Sequence, residues 1–124
     1  MKADGRGPRT VWVIDDDAAV AAVVTRRLNA DGCLVRTFSA AEPALEALSE
    51  GPPDAAILDN GLPGMLGIQA LPRLSRAGVR VILVTGYSSE EVHKDALLLG
   101  ARDFMVKPMN LDELARRVRV LFDR

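Results

Sequence analysis

The chain has 124 residues, 48% of them hydrophobic and 27% charged, enough for one packed core and too apolar for intrinsic disorder. Its 16 lysines and arginines nearly balance 17 aspartates and glutamates, for a formal net charge of -1, which argues against direct nucleic-acid binding and against adhesion to an anionic membrane. One cysteine, Cys33, and one histidine, His93, exclude an internal disulfide framework, a multi-cysteine zinc site and a histidine-rich metal centre, so any metal must be held by carboxylates.

The beginning of the chain is polar, with Gly5, Gly7 and Pro8. No signal-peptide core follows, and no apolar run could span a bilayer. Composition therefore implies a soluble, reduced, cytoplasmic protein. Residues 1–9 read as a flexible tail and residues 10–123 as one domain.

Thr10 to Ile14 is a short β-branched run without alternation, as in a strand buried on both faces, and Asp15, Asp16 and Asp17 close it. From Ala18 to Asp31 the apolar residues Val20, Val23, Val24 and Leu28 recur at helical spacing, and Gly32 stops the helix. Leu34 to Phe38 is a second strand. Ser39-Ala40-Ala41-Glu42 has the pattern of a capping box, which predicts a helix to about Ser49, broken by Gly51-Pro52-Pro53.

Ala55 to Leu58 is a third buried strand, ending at Asp59. Asn60 to Gly67 holds three glycines and a proline and reads as a loop. Ile68 to Ala77 is helical in pattern but contains Pro72, which either kinks the helix or delays its start. Val79 to Val84 is a fourth strand, ending at Thr85-Gly86. Ser88 and Ser89 can cap a helix running to Leu99, stopped by Gly100. Arg102 to Val106 is a fifth strand, ending at Lys107-Pro108. Asn110, with Glu113 three residues on, caps a last helix to about Phe122.

Five strand–helix pairs with short links imply a parallel sheet with helices on both faces. In such sheets functional groups collect outside the carboxyl ends of the strands. Here the first, third, fourth and fifth strands end in an aspartate triplet, Asp59, Thr85 and Lys107. If those strands are neighbours, the groups share one pocket. Carboxylates crowded there would repel one another, and a hard divalent cation such as magnesium removes the conflict. Carboxylate nucleophile, magnesium, lysine and hydroxyl together make a phosphoryl-transfer site. Trp12 reads as core packing, Cys33 as a small apolar residue, and His93 as part of a solvated, charged helix face. Arg116, Arg117 and Arg119 read as an exposed face available to a partner.

Val11-Trp12-Val13-Ile14 before the aspartates, Ile57-Leu58 before Asp59, Leu62-Pro63-Gly64-Met65 with Gly67, Val81 to Val84 before Thr85-Gly86, and Phe104 to Pro108 resemble the receiver domain of bacterial two-component response regulators. The resemblance covers about residues 9–123. It implies a flavodoxin-like α/β fold, a (βα)5 three-layer sandwich with a five-stranded parallel sheet in order 2-1-3-4-5. It also implies a phosphorylation-activated switch in a phosphorelay, not an enzyme beyond its own phosphorylation and dephosphorylation.

By that resemblance Asp59 is the phosphoacceptor. Asp16 ligates magnesium (or manganese) directly, Asp15 mainly through water, and Asp59 and the backbone carbonyl of Gly61 complete the set. Asp17 caps a helix. Thr85, Gly86 and Lys107 receive the phosphoryl group, and Thr85 and Phe104 form the switch pair. The bond from Lys107 to Pro108 is expected to be cis. Gly61 and Tyr87 flank the path of hydrolytic water, with Tyr87 either leaning over the phosphoryl group or pointing into solvent.

The phosphodonor would be a sensor histidine kinase or phosphotransfer protein. The face made by the fourth helix, fifth strand and fifth helix, with Leu98 as its exposed apolar contact, would bind an output partner or a second receiver. Leu66, Met109, Gly86 and Pro72 depart from common family residues. Three alternatives differ from this expectation: a haloacid-dehalogenase-type phosphohydrolase with Asp15 as nucleophile and Asp17 as acid/base, a pseudo-receiver that never takes phosphate, and an FMN-binding flavodoxin, whose phosphate three aspartates would repel.

Overall fold

A computed structural model of the chain describes residues 7–87 and 90–123. Ser88 and Ser89, expected to cap a helix, and residues 1–6 of the expected tail lie outside the described residues. Strands β1 (Thr10–Ile14), β2 (Leu34–Phe38), β3 (Ala55–Asp59), β4 (Arg80–Thr85) and β5 (Asp103–Val106) alternate with helices α1 (Ala18–Ala30), α2 (Ala41–Ala47), α3 (Gly67–Arg76), α4 (Glu90–Leu98) and α5 (Leu111–Phe122). The sheet is parallel, in order β2-β1-β3-β4-β5. This is the flavodoxin-like arrangement.

The non-alternating strands are the central ones. β3 is buried throughout, and β1 and β4 beyond their first residues, whereas edge strand β2 is mostly exposed. Successive side chains point to opposite faces, and so supply two cores. Trp12, Ile14, Leu58, Val81, Leu83 and Phe104 pack toward α2, α3 and α4. Val11, Val13, Ile57, Ile82, Val84 and Met105 pack toward α1 and α5. Trp12 meets Phe38 edge-on at 4.8 Å, and Cys33 is buried in the second core.

The helix starts follow two of the expected caps. Asp17 accepts hydrogen bonds from the amides of Ala19 and Val20, and Asn110 accepts one from Glu113. The expected capping box at Ser39 does not form: the N-cap of α2 is Ala40, with no side-chain bond. A start at Ala41 keeps Pro43 in the first turn, where its missing N–H has no intrahelical partner to lose. Pro72 neither delays nor splits α3, which runs through it from Gly67.

Candidate functional site

Strand register assembles the site. Ile14 pairs with Leu58, so the next residues, Asp15 and Asp59, emerge side by side. Asp59 pairs with Val84, setting Thr85 one step further along the neighbouring strand. Thr85 pairs with Val106, which brings Lys107 to the same edge. The Lys107–Pro108 peptide is cis.

Asp15, Asp59 and Thr85 are the buried polar side chains of the described chain, while Asp16 is exposed beside them. One carboxylate oxygen from each of Asp15, Asp16 and Asp59 lies within 4.8 Å of the others. The Lys107 ammonium bridges this cluster, 2.9 Å from Asp15 Oδ2 and 3.3 Å from Asp59 Oδ1. Asp15 Oδ1 accepts the Asp17 amide at 2.9 Å. Burial first, and then the Asp15 charge, pushes the Asp59 carboxyl above the ordinary carboxylate range, against the pull of Lys107 and of the Gly61 amide. Lys107 is pushed up in turn: burial opposes its charge, but the hydrogen bond to Asp15 and the two carboxylates outweigh it. A convergent set of hard oxygen donors, one of them strained by its own charge, suits a divalent cation such as magnesium.

The loop after Asp59 is drawn tight. A Cβ on Gly67 would overlap the Asp59 carbonyl oxygen, so α3 begins against the end of β3 with no room for a side chain. Gly61 has space, since a Cβ there would sit 3.7 Å from Asp59 Oδ2. The Tyr87 amide donates to Thr85 Oγ1 at 3.2 Å, while its ring, with Tyr87 69% exposed, stands in solvent. Gly86 is exposed.

Two residues behave differently from the sequence-based expectation. His93 is exposed, but its ring stacks on Phe104, with centroids 4.6 Å apart and planes 10° from parallel. Arg117 is not part of a free basic face. It is half-buried, binding Asp103 at 2.9 Å, Glu113 at 2.8 Å and the Phe104 carbonyl at 3.1 Å. Asn60, read only as loop, makes three bonds beside Asp59. The available signal was Leu66, which cannot cap the helix that follows.

The chain matches the response regulator receiver domain profile over residues 11–119. It belongs to that family. Among curated relatives, this receiver domain is 39% identical over 117 positions to the transcriptional regulatory protein KdpE of Mycobacterium tuberculosis, covering 92% of this chain and 51% of that protein. It is 34% identical over 105 positions to the DNA-binding transcriptional regulator NtrC of Escherichia coli, covering 83% of this chain and 22% of that protein. The chain thus spans about half or less of these relatives.

Among solved structures, it resembles a CheY-like receiver domain of Methanospirillum hungatei, with 28% identity and a TM-score of 0.87, over 92% of this chain and 93% of that one. It also resembles a CheX–CheY complex of Borrelia burgdorferi containing BeF3 and magnesium, with 26% identity and a TM-score of 0.90, over 100% and 96%. The receiver domain is a phosphorylation-activated switch of two-component signalling; domains of this family typically signal rather than catalyse. Among the described residues no helix is long and apolar enough to cross a membrane.

Proposed function

We propose that this receiver takes a phosphoryl group on Asp59 from the phosphohistidine of a cytoplasmic sensor kinase or phosphotransfer protein. The observation that carries this reading is the Lys107 ammonium lying between Asp15 and Asp59 within a cluster of three carboxylates. Asp15, Asp16, Asp59 and the Gly61 carbonyl would hold magnesium, which when bound neutralises the charge gathered by the carboxylates and the incoming phosphoryl group.

An Asp59 oxygen attacks phosphorus. A P–O bond forms as the P–N bond breaks, and the imidazole nitrogen keeps the electron pair and takes up a proton. The product is an acyl phosphate on Asp59, and its oxygens are received by Lys107 and the Thr85 hydroxyl. Drawing Thr85 inward vacates space for Phe104, and the change is read on the face of α4, β5 and α5 by an output partner or a second receiver. Leu98, 78% exposed, is the apolar contact on that face.

The phosphohydrolase alternative loses its acid, because the Asp17 carboxylate is engaged in capping α1. The pseudo-receiver alternative would need one of the chemical groups to be missing or displaced, and the carboxylates and Lys107 are gathered together.

Asp59→Asn should abolish acid-labile labelling by acetyl phosphate, and chelation of magnesium should abolish it in the wild type. Stoichiometric label on Asp59→Asn at no substitute site, or wild-type labelling that survives chelation, overturns the assignment.

A further inference from the structure

We infer that Asn60 is a positioning residue that holds the loop between Asp59 and α3 in the shape the acidic pocket needs to bind its cation; this rests on the proposed reading of the pocket.

A helix begins with amides that have no intrahelical acceptor, and a side-chain oxygen at the N-cap normally takes one of them. The N-cap of α3 is Leu66, which has no such oxygen. The neighbourhood supplies the acceptors instead. The Leu66 amide donates to Gln69 Oε1 at 2.8 Å. The Gly67 amide donates to the Asn60 carbonyl at 3.2 Å, and the Ile68 amide to Asn60 Oδ1 at 2.8 Å. Asn60 in turn donates its own amide to the Val84 carbonyl at 2.8 Å.

One residue directly after Asp59 is therefore bonded to β4 on one side and to the first two residues of α3 on the other. These bonds close residues 61–66 into a loop whose two ends are fixed against each other. Gly67 allows that closure, because any side chain there would strike the Asp59 carbonyl oxygen and approach the Asn60 Cα at 2.9 Å. Gly61 lies inside the closed loop, beside the carboxylate, where a Cβ would sit 3.7 Å from Asp59 Oδ2. The Asn60 side chain is half the tether to α3. Without it, the Ile68 amide is orphaned, and the peptides on either side of Gly61 can rotate relative to the carboxylates. Groups that orient metal ligands without touching the metal typically contribute at least about tenfold in affinity.

A helix cap and a loop tether can be separated, because Leu66 is exposed and tolerates a neutral capping residue. The magnesium dissociation constant is measured by calorimetry, and Tm by circular dichroism, for wild type, Asn60→Leu, Asn60→Ala, and Asn60→Leu combined with Leu66→Ser. Asn60→Ala introduces no bulk, so it remains informative if Asn60→Leu folds poorly. Asn60→Leu and Asn60→Ala should bind magnesium about tenfold more weakly and melt lower. Adding Leu66→Ser should return Tm toward wild type while leaving magnesium binding weak. Unchanged affinity in both single variants, or affinity that recovers in step with Tm, overturns the inference. A wild type that itself binds no magnesium at millimolar concentration overturns the reading of the pocket and the inference with it. Intact magnesium binding without phosphorylation fails only the former.

Discussion

Replacing Lys107 with methionine keeps an unbranched chain of similar length and removes the charge between Asp15 and Asp59. Those side chains are only 5% and 8% exposed, and their oxygens lie within 4.8 Å of each other. At that separation and an effective dielectric constant of about 20, two carboxylates repel by roughly 3.5 kcal/mol. Removing one partner of a buried pair typically costs about 3–5 kcal/mol. The lysine is a quarter exposed, so water can follow it into the site, and about 3 kcal/mol is the expected loss without metal. At ~4 °C per kcal/mol for a chain of this size, Lys107→Met should melt about 12 °C below wild type in EDTA. Saturating magnesium should narrow the gap to less than half, because the dication supplies the missing positive charge.

The pH dependence has a definite sign. Asp59 already sits above the ordinary carboxylate range through burial and the Asp15 charge, and Lys107 opposes that rise. Without Lys107 the carboxyl rises further. A carboxyl raised in the folded state costs stability where it is ionised, and the cost is relieved as pH falls through its folded value. The deficit of Lys107→Met should therefore be largest at neutral pH and shrink on acidification. The lysine's own raised pKa contributes stability that is present below the ordinary lysine value and lost as pH rises through the folded one. Thermal melts at pH 7.5 and 5.5, in EDTA and in magnesium, test all of this. A variant melting within about 3 °C of wild type in EDTA, or an equal gap in magnesium, refutes the electrostatic account.

Phosphate loss should be slow in the wild type, where neither Gly61 nor the solvent-facing Tyr87 orients water. Gly61→Asn with Tyr87→Glu should speed it about tenfold, or 1.4 kcal/mol of barrier, when decay is followed after donor removal with magnesium present; a double variant no faster than wild type would sink the idea. Arg116, then Arg117, hold Glu113 down to about 2, so their stabilisation is present above the ordinary carboxylate range and is lost as pH falls through about 2. Glu113→Gln should thus be less stable in urea at pH 7, with the difference fading between about pH 4.5 and 2; an equal deficit at both ends would point to packing instead.

The five strands and the four strand ends were legible because buried parallel strands carry an unmistakable apolar run followed abruptly by chemistry-bearing residues, whereas the order of the strands came only with the resemblance to receiver domains. Asp59 and Lys107 are far apart in sequence, yet each ends such a run, and register does the rest. What remained hidden depends on side-chain direction. His93 shares its helix with Glu90, Glu91, Lys94 and Asp95, so it read as solvated, although one side of its ring covers Phe104. Arg117 is one of three nearby arginines, and only the turn of α5 decides that it faces Asp103. Ser39 failed as a cap because the helix start is decided one residue later. Asn60 could be recognised only by asking which atom serves the amides that Leu66 leaves open.

Helix α4 has Ala96 as its sole fully buried residue, with Val92 partly packed, while Leu97 and Leu98, and Leu99 just beyond the helix, are exposed. A nine-residue helix is too short to persist on its own in water, so α4 owes its shape to a shallow attachment and to the ring contact between His93 and Phe104. It contributes one fully buried side chain to one core, whereas β3 and β4 contribute to both cores at once. The domain is thus graded in rigidity: the edge that carries the charged groups rests on its least deformable strands, and the outward helix belongs to its softest layer. On the proposed reading, a change of charge at the strand ends would leave the sheet in place and be expressed as displacement of the element that resists least.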